Sequence, residues 1–288
     1  MKSIKEIRKE ADFLYSKSSH YLGSLFILVG AITGVATAVL DGLGVELNLI
    51  YLPLLVVLFA PFQYGTIKAA LLSYERKAKD VKALEYGLMG LKKINKSFLP
   101  FVGPMVIIYG IKMLIVGSIA YLISISSTDF INSMIATLTG NIDYIYSSNS
   151  FLIASEMVIA IIVAFILGML LECYFGISYY FAVENQTGLI ESLKSSVKVM
   201  RGNVWKLIKL RLSFLFQIFI TFVVLAFVRY FLTDIINGWF QLMNTSKIFL
   251  DLIINILYGI ISAIISVMVY RLKEQIALVV FYKELTKE

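Results

Sequence analysis

Long apolar runs separated by short polar segments dominate the pattern along this chain. The first run, Tyr21–Leu40, contains no charged residue. A run of about 20 apolar residues can cross the ~30 Å hydrocarbon core of a membrane as an α-helix. The runs show no polar–apolar alternation with period two, so the pattern indicates helices and not the strands of a barrel. The sequence therefore predicts an all-α integral membrane protein with six transmembrane helices, at residues 21–40, 49–72, 99–125, 151–181, 207–232 and 248–270.

The polar segments that precede the first, third and fifth spans are amphipathic. In the last of them, Ile190, Leu193, Val197 and Met200 recur at helical spacing. Helices of this kind lie in the membrane interface, with the apolar face toward the acyl chains and the basic face toward the phosphates. We therefore expect one polytopic domain over residues 1–288, built from three hairpins of spans, with cytoplasmic interface helices at residues 4–18, 83–97 and 188–203. The basic residues expected to contact lipid headgroups are Lys194, Lys198 and Arg201.

The distribution of positive charge predicts the orientation of the spans. The chain has 26 Lys and Arg residues against 19 Asp and Glu residues, which gives a net charge of +7. All of these basic residues except Lys112, Arg229 and Lys247 lie near the termini or around the connections after the second and fourth spans. Cytoplasmic connections carry such an excess, so both termini should be cytoplasmic. The charge then indicates membrane lipids with anionic headgroups as partners, and not nucleic acid.

Composition favours a membrane protein without an enzymatic site. Hydrophobic residues make up 59% of the chain and charged residues 16%, whereas soluble domains have about 25% charged residues. Cys173 and His20 are the single cysteine and the single histidine, so neither an intramolecular disulfide nor a Cys/His metal site is expected. The sequence contains no HExxH, GxSxG or phosphate-loop motif. We therefore expect no catalytic, metal-binding or cofactor-binding residues and no cofactor.

Residues 195–214, which read SSVKVMRGNVWKLIKLRLSF, contain a Ser-x-x-x-Met-x-Gly-Asn core formed by Ser196, Met200, Gly202 and Asn203. Together with the opening KSIKEIRKEA and the closing ALVVFYKEL, this stretch resembles a family of bacterial six-span integral membrane proteins that is catalogued as a domain of unknown function. The membrane portions of some bacterial glycerophosphodiester phosphodiesterases are similar more loosely. The resemblance implies six spans and a bacterial plasma (inner) membrane. It supplies neither an activity nor functional residues.

Polar and small residues follow one line along each of the last three spans. In the fourth span they recur every four residues and so form one ridge on the helix surface, at Glu156, Ala160, Ala164, Gly168, Glu172 and Gly176. These lines either pack helices together through small residues and hydrogen bonds, or they enclose a water-lined cavity. The candidate residues of a polar interior are Lys112, Glu172, Gln217, Asn255 and Ser262. A candidate charge cluster at the outer boundary comprises Glu156, Arg229 and Asp251.

Lys112 is the most unusual residue of this candidate interior. At the ~1.5 Å rise per residue of a helix, it falls close to the midplane of the third span. A lysine there costs roughly 2.5–3.5 kcal/mol on the insertion scale. It therefore needs a carboxylate, backbone carbonyls or water, or it must lose its proton. Glu172, nearer the cytoplasmic edge, is the carboxylate that we expect to pair with it.

Two classes of function fit these features. The first is a non-enzymatic multi-pass plasma-membrane protein that serves as a scaffold, an interaction protein or a protective, immunity-like protein, and binds lipids or another membrane protein. The three basic interface helices favour this class. The alternative is a transporter of a small solute or a lipid that uses a polar interior between the third and sixth spans. Lys112 and the prolines of the second and third spans favour the alternative, because broken helices and midplane charges recur at transport sites.

Overall fold

The computed structural model describes residues 2–42, 51–77, 79, 81–92, 103–104, 106–107, 110–111, 114, 118, 163, 166–240 and 247–287. Within these ranges the chain is helical apart from short turns and contains no strand. The first helices are α1 (Ile4–Gly42), α2 (Tyr51–Tyr74), α3 (Ala83–Gly87) and α4 (Met89–Lys92). They are followed by α5 (residues 166–175), α6 (Ser178–Glu184), α7 (Leu189–Met200), α8 (Val204–Leu212), α9 (Leu215–Phe240), α10 (Lys247–Ser266) and α11 (Leu272–Leu285). A π-helical segment, Val267–Arg271, joins α10 to α11 without a break.

Four stretches of the described residues are long and apolar enough to cross a membrane: Ile4–Val39, Ile166–Glu184, Leu215–Ile236 and Leu250–Leu285. This confirms the prediction of an all-α chain whose apolar runs form helices of membrane-crossing length. The count of six spans, their arrangement in three hairpins and the side on which the termini lie remain predictions. The spans predicted at residues 99–125 and 151–181 fall largely outside the described residues.

The segment at residues 4–18, predicted as a separate interface helix, continues into the first span as a single helix of 39 residues. No Pro or Gly interrupts residues 4–22. Buried side chains recur every three or four positions along this part of α1, at Ile7, Ala11, Leu14, Ser18, Leu22 and Leu25. A helix of this length is about 58 Å long, well beyond the ~30 Å hydrocarbon core. The first span and its preceding segment are therefore one structural element, because one buried stripe runs through both.

α1 packs antiparallel to the continuous rod formed by α10, the π-helical segment and α11. Its N-terminal half contacts α11 and its C-terminal half contacts α10. Where α1 and α10 cross, a Cβ added to Gly34 would lie 2.7 Å from the carbonyl oxygen of Gly259. A Cβ on Gly30 would lie 2.9 Å from the Cβ of Ala263. Small residues four apart on both helices thus let the two backbones touch.

Helices α6, α7, α8 and α11 enclose one end of the molecule around an apolar cluster, which we call the basal core. Its fully buried members include Ile7, Met200, Leu207, Ile276 and Phe281. The ring of Tyr282 stacks on Tyr180 with centroids 5.3 Å apart and meets Phe181 edge-on. Aromatic pairs in these geometries add to the stabilisation that burial already provides. The closing stretch ALVVFYKEL, which belongs to the last helix α11, is therefore part of this core.

The Ser-x-x-x-Met-x-Gly-Asn core has a structural role at the basal core. Ser196 is fully buried, and its hydroxyl donates a hydrogen bond to the carbonyl of Tyr174 at 2.5 Å, which ties α7 to α5. Met200 is fully buried at the end of α7. Gly202 has a φ of +88°, which suits glycine, and the side-chain amide of Asn203 donates to a carbonyl of the last turn of α7 at 3.1 Å. These residues build the turn from α7 to α8.

The fifth span, predicted at residues 207–232, is interrupted at Ser213 and Phe214, between α8 and α9. Arg8 of α1 donates a hydrogen bond to the carbonyl of Ser213 at 2.7 Å. Its guanidinium carbon also lies 4.6 Å from the centre of the Phe214 ring. The break lets α8 remain in the basal core while α9 leaves it.

Candidate functional site

Three adjoining cavities lie along the α10–α11 rod, the first between it and α2, α5, α6 and α8, the second between it and α1 and α2, and the third between it and α1 and α9. We call them the inner, middle and outer cavities, with volumes of about 240, 290 and 430 Å³ respectively. Gln63 and Gln275 line both the inner and the middle cavity. Thr33 and Arg271 line both the middle and the outer cavity. The three cavities therefore share walls and form one series along the interior of the helix bundle.

The inner cavity contains an ion pair that joins α5 to α8. Arg211 Nη1 lies 3.5 Å from Glu172 Oε2, and the two side chains are 32% and 42% exposed. The guanidinium passes close to Gly176, where an added Cβ would lie 3.6 Å from Arg211 Nη2. Within the described residues, the buried Nε of Arg211 has no hydrogen-bond partner. The ion pair is therefore long, and it does not use all the donors of the guanidinium.

Lys112, the predicted partner of Glu172, lies outside the described residues, and Arg211 is the cation that the structure places beside this carboxylate. Judged by its charge alone, Arg211 belongs to a solvated surface segment. For this reason it was not predicted as a site residue. A usable signal was present. Arg211 follows the apolar Leu207 by four residues, so the two share a helix face, and the structure shows that Leu207 is fully buried.

The middle cavity lies beside the π-helical segment. Val267 and Arg271 of this segment line it, together with Glu274 and Gln275 of α11. A π turn accommodates one more residue than an α turn and is found frequently at functional sites. Arg271, the last residue of the π-helical segment, faces the middle and the outer cavity at once.

The outer cavity contains two of the predicted interior residues. Asn255 and Ser262 of α10 line it, and Arg229 of α9 lies at its wall. The guanidinium carbon of Arg229 lies 5.2 Å from the centre of the Tyr258 ring. This cation–π contact holds the guanidinium against α10. The predicted line of polar residues on the sixth span therefore faces a cavity.

The remaining predicted residues are not part of this series. Gln217 is half-buried on α9 outside the lining of the three cavities, and its buried Oε1 accepts no hydrogen bond within the described part of the chain. Arg229 and Asp251 were predicted to cluster with Glu156. Both are described, no ion pair joins them, and Asp251 is exposed. Glu156 lies outside the described residues.

The hydrogen bonds of the cavity hydroxyls distinguish helix packing from cavity lining. A hydroxyl has a single proton to donate. Thr33 donates its proton to the carbonyl of Gly30 at 2.9 Å, and Ser262 donates to that of Gly259 at 2.9 Å. Both bonds stay within one helix. Glycines thus provide the close contact between α1 and α10, while the hydroxyls line the space beside that contact, which favours the cavity interpretation.

The predicted headgroup-binding surface is formed by exposed residues of α7 and the turn after it. Lys194, Lys198 and Arg201 are all exposed. The neighbouring exposed apolar side chains are Ile190, Val197 and Trp205, the last 72% exposed. Met200, which the helical spacing groups with them, is instead buried in the basal core together with Ser192 and Ser196. The surface is therefore narrower than the sequence predicted, because one side of α7 packs against protein.

Together these features define a helical protein with membrane-length helices and a series of cavities among them that are lined by apolar, polar and charged side chains. No known protein family, no curated protein and no solved structure matches the chain. The resemblance carried by residues 195–214 therefore stays an expectation. Within the described residues, no group of three or more His, Cys, Asp or Glu side chains could hold a metal ion.

Proposed function

We propose that this chain is a multi-pass protein of the bacterial plasma membrane that carries a small solute or a lipid through its polar cavities. The observation that supports the proposal is the series of three adjoining cavities, lined by Glu172, Arg211, Glu274, Arg271 and Arg229. Ionisable side chains are expensive within a membrane and are retained where a substrate or ion passes. Helix packing alone does not require them, because glycines already bring α1 and α10 together.

The proposal includes an orientation. The basal core lies on the cytoplasmic side, since α6, α7, α8 and α11 carry seven Lys and Arg residues against four Asp and Glu residues. The inner cavity then faces the cytoplasm, and the outer cavity lies toward the opposite side of the membrane. The proposal assigns no chemical reaction and no cofactor to the protein.

Thiol accessibility tests whether the cavities contain water. The native thiol is removed with Cys173→Ala, and Ser262→Cys is introduced in the outer cavity. Ala226→Cys, on the exposed surface of α9, serves as the matched control. The thiolate is the nucleophile that attacks a thiol reagent, and it forms in water and not in hydrocarbon. We expect a membrane-impermeant reagent to modify Ser262→Cys at least tenfold faster than Ala226→Cys, and equal rates would contradict a hydrated cavity.

Flux in proteoliposomes tests the transport step itself. In one arm, fluorescent phosphatidylglycerol is followed as it crosses the bilayer. Its arrival in the outer leaflet is measured as the fluorescence that external dithionite bleaches in addition to the share already in the outer leaflet. The other arm follows efflux of entrapped radiolabelled solutes. We expect flux above that of empty vesicles in one arm, reduced by Arg271→Gln. Flux equal to that of empty vesicles in both arms would count against transport.

The exposed surface of α7 supports a second candidate function, a scaffold or protective protein that binds anionic lipids or a membrane partner. Its apolar and basic side chains lie side by side, as in helices that rest on a membrane surface. Trp205 provides a direct probe once Trp239→Phe has removed the other tryptophan. We expect brominated lipids to quench Trp205 fluorescence in vesicles that contain phosphatidylglycerol. Quenching that is absent, or insensitive to anionic lipid, would argue against this role.

A further inference from the structure

The outer cavity is cationic. Among the described residues that line it are Arg229 and Arg271, but no Asp or Glu. Neither arginine forms an ion pair with a carboxylate of the described residues, and the guanidinium of Arg229 lies against the ring of Tyr258. The inner cavity differs, because there Arg211 lies beside Glu172. The outer cavity therefore presents two guanidinium groups that no ion pair holds within the described residues, although Glu274 in the adjoining middle cavity lies close enough to Arg271 for their charges to interact.

The hydrogen-bond donors of this cavity come chiefly from its charged residues. The hydroxyl protons of Thr33 and Ser262 are already bonded to carbonyls of their own helices, so these hydroxyls offer acceptors to the cavity. Donors come from the two guanidinium groups, and also from the amide of Asn255 and the phenols of Tyr258 and Tyr270, all of which line the cavity. Guanidinium groups match the oxygens of a phosphate in both charge and geometry. The cavity is thus suited to an anion with several oxygen acceptors.

The spacing of the two arginines indicates an elongated anion. Arg229 lies against Tyr258, and Arg271 lies 13 positions further along the same rod, which separates the backbones of Tyr258 and Arg271 by about 20 Å at the rise of a helix. A phosphate group bound at Arg271 therefore leaves the part of the cavity near Arg229 for other parts of a larger ligand. Leu225 of α9 also lines the cavity, and this helix exposes a broad apolar surface at Phe222 and Phe227. A ligand with a charged head and an apolar tail fits both features.

We propose that the outer cavity binds the phosphate-bearing headgroup of an anionic phospholipid. Arg271, presented by the π-helical segment, is the main contact of the phosphate, and Arg229 adds positive charge further along the same cavity. This inference rests on the proposed transport function, since it names the class of molecule that the cavities would carry.

Binding by the purified full-length chain in detergent tests the proposal. The probe is dioctanoyl phosphatidylglycerol, compared with dioctanoyl phosphatidylcholine and with inorganic phosphate. We expect the phosphatidylglycerol probe to bind at least tenfold more tightly than the other two. Arg271→Gln should raise its Kd about tenfold or more, because charge-assisted hydrogen bonds are lost. Arg271→Lys, which keeps the charge, should raise it less. Lys82→Gln, a matched loss of charge at an exposed lysine that precedes α3, should leave it unchanged.

Three results would overturn the inference. The first is equal affinity for the two lipids, and the second is an unchanged Kd in both Arg271→Gln and Arg229→Gln. The third is displacement of the lipid by inorganic phosphate at a similar concentration, which would assign the site to the free ion. Arg229 makes a single ring contact on an exposed helix, so Arg229→Gln decides the matter if Arg271→Gln fails to fold. Binding does not depend on flux, so a negative flux assay and a negative binding assay remain distinguishable.

Discussion

Gly34 of α1 and Gly259 of α10 lie in backbone contact. A Cβ on Gly34 would lie 2.7 Å from the carbonyl oxygen of Gly259, and a Cβ on Gly259 would lie 2.9 Å from the carbonyl carbon of Gly34. No side chain stands between the two helices at this point. The contact fixes the position of α10, and with it the wall of the outer cavity that carries Asn255 and Ser262.

Gly34→Ala should destabilise the protein, because the added Cβ forces α1 and α10 apart. Overpacking of this kind costs about 1–3 kcal/mol, against roughly 1 kcal/mol gained from the higher helix propensity of Ala. Gly23→Ala is the matched control on the same helix, since nothing lies within 4 Å of its added Cβ. Thermal unfolding in detergent should therefore give a lower Tm for Gly34→Ala and an equal or higher Tm for Gly23→Ala. Equal Tm values for the two variants would show that this crossing is not tight.

Ser196→Ala should loosen the contact between α7 and α5. The buried hydroxyl donates to the carbonyl of Tyr174 at 2.5 Å, and loss of such a bond costs about 0.5–1.5 kcal/mol. Ser195, the preceding residue, is only half-buried, so Ser195→Ala serves as the control. Chemical unfolding should separate the two variants by about 1 kcal/mol. If both variants unfold at the wild-type denaturant concentration, this hydrogen bond contributes nothing to stability.

The Glu172–Arg211 pair should contribute little to stability. Its atoms are 3.5 Å apart and both side chains are more than 30% exposed, conditions under which ion pairs contribute about 0.2–1 kcal/mol. A double-mutant cycle of Glu172→Gln and Arg211→Gln measures this coupling without the separate cost of each substitution. We expect a coupling energy below about 1 kcal/mol. A coupling of several kcal/mol would mean that the pair is shielded from water and holds α5 to α8.

The contact of Lys2 with the end of α11 should weaken only in strongly alkaline solution. The hydrogen bond to Glu10 is the largest of the effects that raise the pKa of Lys2 above its usual value of 10.5. The hydrogen bond to Glu284 raises this pKa further. A raised pKa means that the folded state holds the proton more tightly than the unfolded state does. The contribution is therefore fully present below about pH 10.5 and is lost as the pH rises through the higher pKa of the folded state.

Lys2→Met isolates this effect from the titration of other groups. The difference in Tm between wild type and Lys2→Met should be constant from pH 7 to pH 9 and should shrink above pH 10.5. Lys5→Met removes the charge of an exposed lysine in the first turn of α1, three residues from Lys2, and should follow wild type at every pH. A difference that instead grows with rising pH would contradict the assigned sign.

Part of the candidate site could be placed from the sequence because helical spacing fixes which residues share a face. Asn255 and Ser262 are seven residues apart, nearly two full turns, and both do line the outer cavity. Spacing within one helix does not say which helix lies opposite. The facing residues Gly30, Thr33 and Gly34 of α1 were therefore not predicted, although two glycines four apart are a known packing pattern.

The sequence by itself determined that the chain is helical and that its apolar runs reach membrane-crossing length, because hydrophobicity and length are local properties. Only the tertiary structure decided that Arg211 lies beside Glu172, that Arg271 faces two cavities and that α1 continues through its first polar segment. Each of these depends on contacts between segments far apart in the chain, such as Arg8 with Ser213. No local pattern records such contacts, since they form only when the helices pack together.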